Sequence, residues 1–238
     1  MSRGLTLGDA LSWPARYFPD KPALIAWEGD DHDTPAQRRV WTYAQLNAEV
    51  NRHAHALLAL GVQKGDVVAA FLYNTPAFVF SLLAAARVGA VFNPINYRLA
   101  AQELAFILED GQAKVLLFEK EGSEVVEKAR EHGVPTAHWI YADSDAAPAF
   151  ATARLDQLVR HQPATLPPVI VEENDNCILM YTSGTTGRPK GVLHTHRSKL
   201  AHNAMMHQAM TLSREDVGLA VAPLNHTAEL PTSFLPRL

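Results

Sequence analysis

"DVVAAFLYNTPAFVFSLLAAARVGAVFNPIN", residues 66–96, changes its hydrophobic period twice within a short span. Its opening, "DVVAAFLY", is a short apolar run of the kind a strand buried on both faces requires. Asn74 and Thr75 then precede Pro76, whose fixed φ suits a first helical turn, and "PAFVFSLLAAARVG" reads as a helix stopped at Gly89. "AVFNPIN" returns to a strand pattern. Strand, helix and strand in such close succession predict parallel strands joined by a crossover helix.

The same alternation extends in both directions. Upstream, "TYAQLNAEVNRHAHALLALGV" is a helix: Thr42 and Gln45 make a capping box, Leu46, Val50, Ala54, Leu57 and Leu58 recur at helical spacing, and Gly61 ends it. Before it, "ALIAWEGD" and "RRVWTY" flank a polar, turn-rich segment and read as a strand pair. Downstream, "AAQELAFILEDG" is a helix, "AKVLLFE" a strand, "SEVVEKAREHG" a helix and "TAHWIYAD" a strand. "RHQPATLPPVIVEEND" carries Pro163, Pro167 and Pro168, which oppose regular structure and mark a linker. Beyond it, "CILMYTS" is a strand, "HRSKLAHNAMMHQAM" a helix and "DVGLAVAPL" one more strand. The expected fold class is α/β, with layered, mostly parallel sheets and helices on both faces. Residues 1–165 form a first subdomain and 166–238 the start of a second. No internal repeat, heptad pattern or low-complexity tract is found.

Composition bounds the function. With 238 residues, 47% hydrophobic and 19% charged, the chain can bury a sizeable core. A formal net charge of −4 argues against a general nucleic-acid binder. Cys177 is the only cysteine, so neither an intrachain disulfide nor a multi-cysteine metal site can form, as expected of a cytoplasmic protein. The N-terminus lacks a signal-peptide core, and the most apolar stretch, Phe78 to Phe92, is interrupted by Arg87 and too short to span a bilayer.

Chemistry concentrates in "YTSGTTGRPKGVLHTH", Tyr181–His196. Gly184, Gly187 and Gly191 permit tight backbone turns and close approach by a ligand, Thr182, Ser183, Thr185 and Thr186 supply hydroxyls, and Lys190 supplies a mobile positive charge. The loop is read as following a strand and preceding a helix whose N-terminus can face an anion, which suits a triphosphate or pyrophosphate. The alternative is a surface turn with incidental threonines. The G-x-x-x-x-G-K-[ST] phosphate loop is not met, because Arg188 and Pro189 follow Gly187 and Gly191 follows Lys190, and no G-x-G-x-x-G fingerprint is present.

"YTSGTTGRPKGV" closely resembles the phosphate-binding signature of the adenylate-forming enzymes, which include acyl-CoA synthetases, peptide-synthetase adenylation domains and beetle luciferases. Residues 41–110, from "WTYAQLN" to "AFILED", resemble the N-terminal region of the same family, and "APLNHTAEL" resembles its acyl-pocket segment. The resemblance implies that Thr182, Ser183, Gly184, Thr185, Thr186, Gly187 and Lys190 hold the β- and γ-phosphates of ATP. It also implies that His226 sits near the carboxylate and acyl tunnel, as the candidate catalytic residue. "FNPIN" (Phe92 to Asn96) is more similar to fatty or aromatic acyl-CoA synthetases than to amino-acid-activating domains. The implied chemistry consumes a carboxylic acid, ATP with Mg²⁺, and coenzyme A. No covalent enzyme nucleophile is needed, and Cys177 reads as a small hydrophobe.

Members of that family are about twice as long. Their "GxTE"-type motif, ribose-binding Asp and C-terminal catalytic Lys have no match before Leu238. Three expectations stay open: a fragment of an acyl-CoA synthetase, one half of a split enzyme, or a stand-alone phosphate-binding or interaction module. Turnover by the isolated chain is not expected, and apolar surface at the truncated face is expected to favour self-association. His194, His196, His202 and His207 match no zinc spacing and read as exposed or loop-packed. Met205, Met206 and Met210 read as helical core.

Overall fold

The computed structural model describes residues 4–28, 37–182, 188–226 and 229–237. Its centre is the expected pair of strands, β3 (Val67–Phe71) and β4 (Val91–Pro94), parallel and in register from Val67 opposite Val91 to Ala70 opposite Pro94. The strand pair read upstream is β1 (Pro22–Glu28) and β2 (Gln37–Thr42), a separate two-stranded antiparallel sheet. β5 (Ala113–Phe118), β6 (His138–Tyr141), β7 (Ala153–Arg154), β8 (Asn176–Thr182) and β9 (Lys190–Thr195) complete the main sheet in the order β7-β6-β5-β3-β4-β8-β9. Every neighbour pair in it is parallel except β8 and β9.

Alternate residues of these strands face two different cores, as the pleat demands. Val68, Ala70, Val115 and Leu117 pack with α2 (Tyr43–Ala59) and α3 (Pro76–Val88). Ala69, Phe71, Leu116 and Phe118 pack with α4 (Ala101–Asp110) and α5 (Ser123–Arg130) on the opposite face. Helices therefore cover both faces, and the mostly parallel α/β fold read from the sequence is the fold observed. The local signals also hold: Thr42 and Gln45 form the capping box of α2, Pro76 opens α3, and Gly89 ends it at φ 71°. Phe78 and Phe92 are fully buried and meet edge to face, with ring centres 5.2 Å apart.

Several elements were not read in advance. α1 (Leu7–Tyr17) opens on a reciprocal cap between Thr6 and Asp9. It packs on α2 and α3 through the buried Leu7 and Leu11. β7 and the short α6 (Leu155–Val159) lie between β6 and the linker. Residues 160–175 carry no helix or strand, as the prolines required. On the far side of this linker β8 pairs with β4, Ile178 opposite Phe92, so strands from both sides share one sheet.

Arg87, which interrupts the most apolar stretch, is 5% exposed. Its guanidinium donates to Asn47 Oδ1 and Asn51 Oδ1 of α2, both at 2.5 Å, and to Ser12 Oγ of α1 at 3.3 Å. Gly8 makes room for it: a Cβ there would lie 2.9 Å from Arg87 Cγ. One buried cation thus joins three helices through polar partners.

Two expectations are corrected. "DVGLAVAPL" forms no strand, and Val217, Leu219 and Val221 stand 84%, 75% and 77% exposed. Its alternation is strand-like, but a strand needs a ladder partner and none lies beside it among the described residues. The methionines in and just after α7 (His196–Ala209) are not core either, although Met206 is half-buried. Met205 is 68% exposed and Met210 40%, because α7 buries only its first turn, through His196 and Lys199.

Candidate functional site

The C-terminal ends of the parallel strands lie along one edge of the sheet. Chain leaving β3 crosses to β4, whereas chain leaving β5 crosses to β6 on the other side, so the topological switch point of the sheet falls between β3 and β5. Two residues past β3, the Tyr73 N–H donates to Glu119 Oε2 at 2.8 Å, just beyond β5. Glu119 is buried, and burial holds its carboxyl above the usual carboxylate range against the opposing effect of that N–H. The rings of Tyr73 and Tyr97 meet at a tilt of 36°, with centres 4.1 Å apart.

Asn74, the next residue, reaches across the chain. Its Nδ2 donates to the Ala222 carbonyl and its Oδ1 accepts from the Leu224 N–H, both at 2.8 Å. Leu224 is buried, Pro223 and Asn225 are half-buried, and His226 is exposed just after them. The His226 N–H donates to Pro223 O at 2.9 Å, and its carbonyl accepts from the Glu229 and Leu230 N–H groups at 3.1 and 3.2 Å. Helical turns at Leu230–Phe234 and Leu235–Arg237 follow, with Leu230 and Leu235 in the core. The segment bearing His226 is therefore anchored on both sides, at the carboxyl edge of the sheet where β3 ends.

Of the loop residues read from the sequence, Ser183, Gly184, Thr185, Thr186 and Gly187 lie outside the described residues. Thr182 and Lys190 are described and stand directly opposite each other as the end of the β8–β9 ladder. Both are exposed, and Lys190 pairs with no carboxylate among the described residues. Behind them the Tyr181 hydroxyl donates to Asp110 Oδ2 at 2.6 Å, and the Arg188 guanidinium lies 5.9 Å from the centre of the Phe106 ring. Burial first, and Asp110 second, raise the Tyr181 pKa.

Here the sequence reading needs a further correction. The loop does not lead into a helix; it joins β8 to the antiparallel β9, and α7 starts only after β9, where Thr195 faces Asn176. The N-terminus of α7 is thus at the far end of the hairpin from the loop.

The remaining chemistry-bearing residues resolve as structural groups. His196 is fully buried, not loop-packed. Its Nδ1 accepts from the Leu7 N–H at 3.2 Å, and burial lowers its pKa to about 4. Cys177 is buried, its thiol is pushed up to about 12 by burial, and its Sγ lies 3.3 Å from the His194 carbonyl. Among the described residues no three His, Cys, Asp or Glu side chains converge as metal ligands would. No helix among them is long and apolar enough to cross a membrane. Asn74, Tyr73 and Glu119 were not singled out from the sequence, because their partners lie between 46 and 150 residues away.

A mostly parallel seven-stranded sheet with helices on both faces, ending in an antiparallel β8–β9 hairpin, defines an α/β domain. The family model described as AMP-binding enzyme matches residues 11–237, and the chain belongs to that family. It is 41% identical over 196 residues to the long-chain-fatty-acid–CoA ligase FadD13 of Mycobacterium tuberculosis, an alignment covering 80% of this chain and 37% of that protein. The chain therefore spans little more than a third of the length of this relative. Among solved structures, the inhibitor-bound N-terminal domain of FACL13 from Mycobacterium tuberculosis matches with a TM-score of 0.79 and 35% identity, covering 98% of this chain and 55% of that one. The anthranilate CoA ligase AuaEII in complex with anthranoyl-AMP matches with a TM-score of 0.87 and 26% identity, covering 100% of this chain and 44% of that one.

Proposed function

We propose that this chain supplies the phosphate-holding hairpin and one wall of the acyl site of an ATP-dependent acid–thiol ligase acting on a fatty or aromatic carboxylic acid. In that reaction a carboxylate oxygen attacks the α-phosphorus of ATP, pyrophosphate leaves, and the thiol of coenzyme A displaces AMP from the acyl-adenylate to give acyl-CoA. Attacking and leaving groups are both anionic, so the protein's task is to position them and neutralise charge. The hydroxyls and amides of Thr182 to Gly187, with Lys190, would hold the β- and γ-phosphates and then the departing pyrophosphate. His226 would face the carboxylate.

The observation that supports this most is the placement of Thr182 opposite Lys190, at the same sheet edge to which Asn74 ties the His226 segment. The described residues offer no ready set of three ligands for Mg²⁺. Mg²⁺, which the family resemblance implies, is commonly held by substrate phosphates and water with one or two carboxylates, and no step here passes through it. A cytoplasmic setting belongs to the same reading, supported by a lone cysteine that is buried. So does the division near residue 165, supported by the linker that separates β8 from α6.

The test measures pyrophosphate binding to the 238-residue chain by calorimetry. Acid-dependent pyrophosphate release is followed in parallel, with ATP, Mg²⁺ and a panel of fatty and aromatic acids, and a full-length relative as positive control. Binding should be saturable and weaken about tenfold in Lys190→Ala, the scale of one charge-assisted contact. Turnover is expected from the control and not from this chain alone. Pyrophosphate affinity unchanged by Lys190→Ala would remove the basis of the reading.

A further inference from the structure

Asn74 sits where an asparagine commonly serves its own helix, one residue before the Thr75 that occupies the cap position of α3. It does not do so here. Its amide turns away from α3 and bonds a backbone segment 148 and 150 residues further on. One Asn amide offers a donor and an acceptor on the same side, and these meet the Ala222 carbonyl and the Leu224 N–H as a neighbouring strand would. The segment needs this, because residues 217–221 just before it have no strand partner and expose Val217, Leu219 and Val221. After Asn74 the segment dips, buries Leu224 and turns up again at His226. The other end of the same turn is fixed independently, since the Tyr73 N–H is bound to the buried Glu119 carboxylate beyond β5.

We propose that Asn74 is a positioning residue for His226: its two-point bond to Ala222 and Leu224 sets where His226 stands at the carboxyl edge of the sheet, and with it how tightly a substrate carboxylate is held. This rests on the acyl-facing role given to His226 above. It assigns Asn74 no contact with phosphate, because the hairpin carrying Thr182 and Lys190 leaves a different strand of the sheet.

The experiment uses the 238-residue chain, the variants Asn74→Val, Asn74→Asp and His226→Ala, and three probes: decanoate, benzoate and inorganic pyrophosphate. Amide hydrogen exchange at Leu224 reports the clamp, the imidazole proton resonances of His226 report its placement, and calorimetry reports binding. In the wild type at least one carboxylate should shift the His226 resonances saturably. Asn74→Val should speed Leu224 exchange about tenfold or more, abolish that shift and weaken the carboxylate about tenfold, as His226→Ala does, while leaving pyrophosphate affinity unchanged. Asn74→Asp keeps the acceptor for Leu224 and loses the donor to Ala222, so its carboxylate affinity should fall between wild type and Asn74→Val. Faster Leu224 exchange with carboxylate binding and the His226 shift intact would overturn the positioning role alone. Wild-type binding of pyrophosphate with no response to either carboxylate would overturn the acyl role of His226, and this inference with it.

Discussion

Acidifying the protein from pH 7 to pH 5 should weaken its fold through two buried histidines. His196 and His53 are 0% and 7% exposed, and burial lowers each pKa to about 4 from an ordinary 6.5. Between those values the unfolded chain binds a proton at each site that the folded chain refuses, so stability must fall as pH falls. Full stability holds above the unfolded pKa near 6.5 and is lost progressively towards 4. Over the interval from pH 7 to pH 5 the linkage amounts to about 2 kcal/mol per histidine, or about 4 kcal/mol for both. That is a large part of the roughly 5–15 kcal/mol a domain of this kind holds in reserve.

Urea denaturation at pH 7, 6 and 5, followed through the four tryptophans, measures it directly. The variant His196→Asn separates the two sites, because an Asn side-chain oxygen can still accept from the Leu7 N–H while carrying no titratable group. It should retain most of its stability at pH 7 and lose only about 2 kcal/mol on going to pH 5. A pH dependence for His196→Asn identical to that of the wild type would show that His196 is not the group refusing the proton.

Arg87→Met should destabilise by about 3 kcal/mol, since it leaves the buried Asn51 and the half-buried Asn47 side-chain oxygens without their donor, and a loss under about 1 kcal/mol in chemical denaturation would contradict the network described. Gly89→Ala should cost about 1–2 kcal/mol in the same assay, because φ is +71° and the new methyl would stand 3.0 Å from Lys64 Cγ. Leu219→Lys should change stability by less than about 0.5 kcal/mol, since the residue is 75% exposed. It should also reduce self-association in sedimentation at high concentration if the Val217–Val221 stripe mediates it. Sedimentation unchanged by the substitution would assign any association to another face.

Much of the architecture was legible because strands buried on both faces appear as apolar runs, and the helices between them carry their own start and stop residues. Pro76 and Gly89 bound α3 in the sequence as they do in space. The failures share a cause in context. β9 reads "KGVLHT" and is largely exposed along its length, so it shows no apolar run and its sequence is indistinguishable from loop. "DVGLAVAPL" shows the strand pattern without the neighbour that would make it one. α1 carries a start signal in Thr6 and Asp9, but Pro14 inside it reads in sequence as a helix breaker. At the site, the composition of the loop pointed to phosphate, whereas Asn74 and Glu119 act through partners distant in sequence. No local pattern encodes such a bond.

The strand pairing across the proline-rich linker carries a consequence for how the molecule is made. β3 to β7 need only residues up to 154 to form five adjacent strands, and these can assemble while the rest of the chain is still being synthesised. β8 must then return to β4, matching Ile178 to Phe92 over a separation of 178 − 92 = 86 residues, and α7 must find Leu7 through His196 across 189. The β8–β9 hairpin closes quickly by itself, but its docking is a long-range event whose loop-closure entropy has to be met before any contact is gained. The β8–β9 hairpin is thus among the last parts to be docked, and for that interval the exposed side of β4 is an open template for a wrong strand.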